Sequence, residues 1–219
     1  SIRRQRQMCI RDSFCDRCGT ELAQTPGAPN QVTGPAVQRC ALVIGAAADA
    51  DFRIDGTAVS SHHALALLDT ADVRLLDLGS TNGTFVDGVR LSSDARGVSI
   101  SSSSTITLGP VALRASELLS RLRGAARAYL VGRGADVDLL IDAPMISTRH
   151  LLAIVDAKRP VDGAAVRIID LCSRNGTFLG ARGEAGRRRV MAPIRARAED
   201  ILHLGSYRLP IALLLAQVQ

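Results

Sequence analysis

Three short segments in the second half of the chain carry side chains suited to holding an oxyanion: Gly132-Arg133, Ser147-Thr148-Arg149-His150 and Ser173-Arg174-Asn175-Gly176. A near-dianionic group with several acceptor oxygens is held by a fixed cation and by convergent hydroxyl and amide donors. Arg133 offers the cation, Ser147 a hydroxyl, and Thr148 a second hydroxyl or a backbone N–H. The segments recur earlier as Gly45-Ala46, Ser60-Ser61-His62-His63 and Ser80-Thr81-Asn82-Gly83. That copy keeps Ser60, Ser61, His63, Thr81 and Asn82 but has Ala46 where the second copy has Arg133, so its cation is missing unless Arg53 or His62 substitutes.

The elements that position these residues are strands. Asp170 to Phe178 repeats Asp77 to Phe85 at seven of nine positions, and each stretch joins two apolar runs through Asn-Gly. Asn-Gly between such runs predicts strand, tight turn and strand, with left-handed backbone that Gly adopts freely and Asn tolerates. The copies align at an offset of 87 from Ile44-Gly45 to His63, 93 at the Asn-Gly turns and 96 at Leu108-Gly109, so length changes fall in loops. Short β-type runs between Gly, Asp, Asn and Ser clusters predict an all-β fold of two tandem β-sandwiches, each of roughly 80 to 95 residues. The expected boundaries are 38–115 and 127–219, joined over 116–126 by a linker or short helix carrying Leu118, Leu119 and Leu122. Leu209 to Leu215 reads as a terminal core strand, Cys40 and Cys172 as buried strand residues, and Ser101 to Ser104 as a solvent-facing strand or loop. The Arg-rich segment 181–197 reads as a solvated loop.

The ordered set Gly-Arg, Ser-x-x-His and Ser-x-Asn-Gly resembles the forkhead-associated (FHA) domain, over nearly everything from Gln38 onward and twice. The resemblance implies a phosphothreonine-peptide reader in which Arg133, Ser147 and Thr148 take the phosphate and Asn175 holds the peptide backbone. Gly132, His150 and Gly176 would brace the loops. Arg174 stands where the family commonly has Thr, and either adds a second cation or obstructs the pocket for the threonine methyl. The first copy, without its cation, is expected to bind weakly or not at all and to act as a packing or protein-contact module. The implied partner is a phosphothreonine-containing protein, a serine/threonine kinase or its substrate, with no cofactor required.

Charge and cysteines set the remaining bounds. Arg3 to Asp12 spell the translation of a common transposase-type sequencing adapter, so residues 1–13 are read as an assembly artefact. Setting them aside takes the formal charge from +6 to +3, which does not by itself point to nucleic acid. Residues 14–37 are read as half of a zinc-ribbon knuckle, with Cys15 and Cys18 as metal ligands, followed by a Pro/Gly-rich linker. A structural zinc would then belong to the full-length native protein. No disulfide framework is evident, and no apolar run approaches the roughly 20 residues of a membrane span. The expected setting is a bacterial cytoplasm. A nucleic-acid-associated or phospho-independent scaffold using the knuckle and basic loops is the alternative, weakened by the absence of Trp and the presence of only two Tyr for base stacking. Ser147, His150 and Asp170 are the residue types of a hydrolytic triad, but there is no G-x-S-x-G elbow and Ser and His share one loop, so no enzyme is expected.

Overall fold

The computed structural model describes residues 38–70, 72–92, 94–155, 164–180 and 186–216. The adapter segment, Cys15, Cys18 and the first linker lie outside the described residues. The first half contributes β1 (Arg39–Gly45), β2 (Phe52–Arg53), β3 (Ala64–Asp69), β4 (Asp72–Asp77), β5 (Thr84–Val86), β6 (Val89–Arg90), β7 (Val98–Ser99), β8 (Thr105–Leu108), β9 (Val111–Arg114) and α1 (Ala115–Leu122). The second half repeats the order with β10 (Ala126–Gly132), β11 (Leu139–Leu140), β12 (Leu151–Val155), β13 (Ala164–Asp170), β14 (Thr177–Gly180), β15 (Arg188–Arg189), β16 (Ile194–Arg197), β17 (Ile201–Leu204), β18 (Tyr207–Pro210) and α2 (Ile211–Ala216). The all-β sandwich expected from the short strand-like runs is what forms.

Each half packs a private four-stranded sheet, β6-β5-β8-β9 or β15-β14-β17-β18, against its share of one ten-stranded sheet. The central path of that sheet runs β16-β13-β12-β10-β1-β3-β4-β7, with β2 on β1 and β11 on β10. Adjacent residues on a strand point to opposite faces, so alternate positions feed different cores. Leu42, Ile44, Ala64, Ala66 and Leu75 enter the first sandwich with Ile106, Leu108, Leu118 and Leu122. Val131, Leu151, Ala153 and Ile168 enter the second with Leu202, Leu204, Leu209 and Leu214. The intervening residues Ala41, Val43, Leu65 and Leu67 join Ala128, Leu130, Leu152 and Ile154 in a third cluster shared by the halves. Both faces of β1 and β12 are thus covered, which is why they read as unbroken apolar runs.

The halves are joined by antiparallel pairing of β1 with β10, where Arg39, Cys40 and Ala41 face Ala128, Arg127 and Ala126. Ion pairs reinforce that seam. Arg39, 3% exposed, donates from Nε to Asp69 at 2.9 Å, pairs with Asp138, and reaches the Asp136 carbonyl at 2.7 Å. Arg149 binds Asp69 at 2.9 Å and Asp136, and Arg167 crosses to Asp51 at 2.8 Å. Burial pushes the Asp138 carboxyl up, although the Leu130 N–H and Arg39 favour its charged form.

Two strand expectations need correction. The 209–215 run is split: β18 ends at Pro210, which has no N–H to continue a ladder, and Ile211 begins a helix that buries Ile211 and Leu214 three positions apart. α1 follows β9 at the corresponding place and sends Leu118 and Leu122 into the first core, so it is a packed element of that half. Cys40 is half-buried in β1, but Cys172 is exposed, in a loop, with left-handed backbone at φ 55°. Its counterpart one repeat earlier is Gly79 at φ 76°, which explains why the segment cannot continue as strand. Ser101 to Ser103 face solvent while Ser104 is buried, closing a turn by accepting the Ser101 N–H at 3.3 Å. Arg187, Arg188, Arg189, Arg195 and Arg197 are all exposed.

Candidate functional site

The second half's three loop segments meet at one end of its sandwich. At the end of β10 the chain turns so that Arg133 N–H donates to the Ser147 carbonyl at 3.0 Å and Gly134 N–H to the Thr148 carbonyl at 2.9 Å. A Cβ on Gly132 would lie 2.2 Å from the Thr148 carbonyl oxygen, so only glycine permits this approach. The first half repeats the contact, with a Cβ on Gly45 placed 2.1 Å from the Ser61 oxygen.

Buried histidines lock the Ser-x-x-His loops. His150 Nδ1 accepts the Ser147 N–H at 3.1 Å, and His63 Nδ1 accepts the Ser60 N–H at 3.0 Å. An accepting Nδ1 puts the proton of a neutral ring on Nε2. In the first half that Nε2 donates to the Gly83 carbonyl at 3.1 Å, tying the loop to the Asn-Gly turn. In the second, the Gly176 backbone acts on the His150 ring, but buried His150 Nε2 makes no regular hydrogen bond among the described residues. Burial lowers the His150 pKa, against the pull of Asp170 and Gly176, which keeps the ring neutral and its Nδ1 an acceptor.

The repeated nine-residue stretch is organised by its first residue. Asp170 accepts the Ser173 N–H at 2.9 Å, the Ser173 hydroxyl at 2.6 Å and the hydroxyl of fully buried Thr177 at 2.6 Å. Asp77 does the same with Ser80 and Thr84, at 2.5 and 2.7 Å from their hydroxyls, and adds the Gly79 N–H at 3.0 Å. Burial alone would raise the Asp77 pKa, but these donors outweigh it and hold the carboxyl below its ordinary value. Within each Asn-Gly pair the left-handed residue is the glycine, Gly83 at φ 81° and Gly176 at φ 73°, and neither Asn82 nor Asn175 shares that conformation. Sequence reading missed both aspartates as turn organisers, although their recurrence at the head of each stretch was a usable signal. With Asp170 bonded to Ser173 and Thr177, and His150 Nδ1 bonded to the Ser147 backbone, no line runs from nucleophile to base to orienter.

The candidate ligand-facing groups converge on this frame. Ser147 Oγ accepts the Arg174 N–H at 3.1 Å, which leaves its hydroxyl proton to donate. Asn175 Nδ2 donates to the Met145 carbonyl at 2.8 Å, leaving its side-chain carbonyl as an acceptor. Arg133 is anchored by Nε to the Ile146 carbonyl at 3.2 Å, and its side chain is exposed with no carboxylate within ion-pair distance among the described residues. Thr148 and Arg174 are exposed beside them.

The first half reproduces the frame without the guanidinium. Thr81 N–H donates to Ser60 Oγ at 3.1 Å, and Asn82 Nδ2 to the Ala58 carbonyl at 2.8 Å. Ala46 N–H donates to the Ser60 carbonyl at 3.0 Å, as Arg133 does to Ser147, but brings no charge. Neither suggested substitute is unengaged: Arg53 pairs with Asp55 at 2.8 Å and His62 with Asp49 at 3.0 Å. Among the described residues no group of three or more His, Cys, Asp or Glu is placed to hold a metal ion, and no helix is long and apolar enough to cross a membrane.

The family model described as the FHA domain matches residues 42–109 and again 129–205. No curated protein matches the chain significantly. Among solved structures, one from a study of phosphothreonine-dependent FHA domain interactions is 31% identical, covers 34% of this chain and 74% of its own, and has a TM-score of 0.32. The FHA-2 domain of a Mycobacterium tuberculosis ABC transporter is 30% identical over 40% of this chain and 77% of its own, with a TM-score of 0.31. Mycobacterium tuberculosis EmbR, in complex with a low affinity phosphopeptide, is 28% identical over 34% of this chain, spans far beyond the match with only 19% of its length covered, and has a TM-score of 0.31.

Proposed function

We propose that this chain, which belongs to the FHA domain family, is an interaction module that recognises phosphothreonine-bearing proteins through its second half. One observation carries the reading: two loop frames that share their serine, histidine Nδ1 and asparagine bonds differ in that the second presents an exposed Arg133, with no ion-pair partner among the described residues, where the first has Ala46. A phosphothreonine offers three acceptor oxygens and close to two negative charges. Arg133 answers the charge, the Ser147 hydroxyl and Thr148 answer individual oxygens, and Asn175 clamps the peptide backbone. Arg174 adds a second cation at the rim. Hydrogen bonds to charged groups contribute about 1.5 to 3 kcal/mol each, so two or three of them, after ordering costs, support micromolar affinity at roughly 8 kcal/mol. In this reading the chain is a cytoplasmic adaptor in a serine/threonine kinase pathway, docking the kinase or its substrates, while the first half is a packing and contact module.

Calorimetry of matched phosphothreonine and unmodified peptide libraries tests the reading. Wild type is expected to bind only the phosphorylated set, with Arg133→Ala weakening it about 30- to 100-fold, the equivalent of roughly 2 to 3 kcal/mol. Ser147→Ala removes a single neutral donor and should cost less. Equal binding of both peptide forms would defeat the proposal and favour a phospho-independent scaffold.

A further inference from the structure

A cleft of about 750 Å³ lies between the halves, with Ser147 and Thr148 on one side and Arg74, Asp94 and Arg96 on the other. It is therefore continuous with the phosphate loop of the second half while its far wall belongs to the first. The seam fixes its width, because Arg149, in the same loop as Ser147, is tied to Asp69 of the first half at 2.9 Å.

The charges lining the cleft are nearly all answered. Arg149 also pairs with Asp136, and Arg74 pairs with Asp72 at 2.9 Å while donating to the Arg96 carbonyl at 2.6 Å. Asp94 accepts the N–H groups of Arg96 and Gly97 at 2.8 and 3.0 Å and the Ser92 hydroxyl at 2.9 Å. The weakest answered is Arg96, which is exposed and makes no contact ion pair among the described residues, the neighbouring Asp94 acting on its guanidinium only through space.

We propose that this cleft is an accessory subsite for the bound phosphopeptide, in which Arg96 of the first half pairs with an acidic side chain flanking the phosphothreonine. The inference rests on the reading of Arg133 and Ser147 as the phosphate site. Each extended residue advances a peptide by about 3.3 Å, so a residue two or three positions from the phosphothreonine reaches past Thr148 into the cleft. The first half, without a phosphate cation of its own, thus serves as the wall that reads sequence for the second.

The test uses the whole chain and a phosphothreonine peptide of otherwise neutral sequence, with one Asp, Asn or Lys walked through four positions on either side. At one position Asp should bind about fivefold tighter than Asn, the scale of a partly exposed ion pair. That gain should vanish in Arg96→Ala, while the all-Asn peptide binds this variant as it binds wild type. In Arg96→Glu the preference should invert, with Lys favoured at the same position. An Asp gain that survives in Arg96→Ala, or no gain at any position, overturns the subsite while leaving the phosphate site intact. Binding that ignores phosphorylation would instead defeat the phosphate reading, and the subsite with it.

Discussion

The loops of the two halves hold Ser60, His63, Thr81 and Asn82 in the same bonds that hold Ser147, His150, Arg174 and Asn175. The serine, histidine and Asn-Gly signature is therefore a folding device before it is a receptor. Histidine and aspartate satisfy backbone and hydroxyl donors that loops at a sandwich end would otherwise leave unpaired, and that need is the same whether or not a ligand arrives. A side chain that the frame does not require can vary, and position 46 against 133 is such a place: the backbone N–H is committed to the serine carbonyl in both halves, while the Arg133 side chain adds only its own Nε bond to the Ile146 carbonyl.

The strongest way to break the comparison is to separate the two halves. Asp69→Ala removes the carboxylate shared by Arg39 and Arg149 and leaves nearly inaccessible Arg39 short of charge compensation. Such losses cost about 3 to 5 kcal/mol. Calorimetric unfolding should shift to markedly lower temperature and divide into two transitions, whereas an unchanged single transition would show that the β1–β10 pairing, the Arg167–Asp51 pair and apolar contact hold the halves without Asp69. Next in size is an exchange of cations. The double variant Arg133→Ala with Ala46→Arg should regain phosphothreonine binding lost in Arg133→Ala alone, recovering up to about 2 kcal/mol, and lose it again on Ser60→Ala. No recovery would mean that the first frame lacks more than its arginine.

Smaller effects sharpen the contrast through pH. Asp77 has a folded pKa below its ordinary value, so its contribution to stability is fully present above 3.8 and disappears as pH falls through the lower folded value. Urea unfolding of Asp77→Asn should accordingly show a shallower loss of stability below pH 4 than wild type. His150 behaves as a buried base whose folded pKa lies below 6.5. Protonation then favours the unfolded chain, and stability should begin to decline as pH drops below about 6.5. Following the His150 ring protons by NMR should place its titration below that of exposed histidine; a midpoint at or above 6.5 would contradict the buried, neutral assignment.

What the chain disclosed in advance was local. Asn-Gly turns, apolar runs and repeat offsets are properties of neighbouring residues, and they placed two β-sandwiches and the loops that carry Arg133, Ser147 and Asn175. Asp77 and Asp170 went unrecognised as organisers because an aspartate ending a strand looks like any loop residue until its hydroxyl partners are seen around it. The seam roles of Arg39, Arg149 and Arg167 were not legible because partners of theirs lie 99, 80 and 116 positions away. Cys172 misled because a thiol beside an apolar run reads as buried, and only alignment with Gly79 betrays a left-handed position.

The three-residue pairing of β1 with β10 has a bearing on how the protein can be handled. Separated between α1 and β10, each piece would present an open strand edge flanked by the apolar residues of the shared cluster, from Ala41 and Leu65 on one side to Leu130 and Leu152 on the other. Bare edges next to greasy surface are templates for aggregation. The two domain-sized repeats are in that sense poor candidates for separate life, and a fragment carrying the second half alone should be recovered as an insoluble or self-associating species.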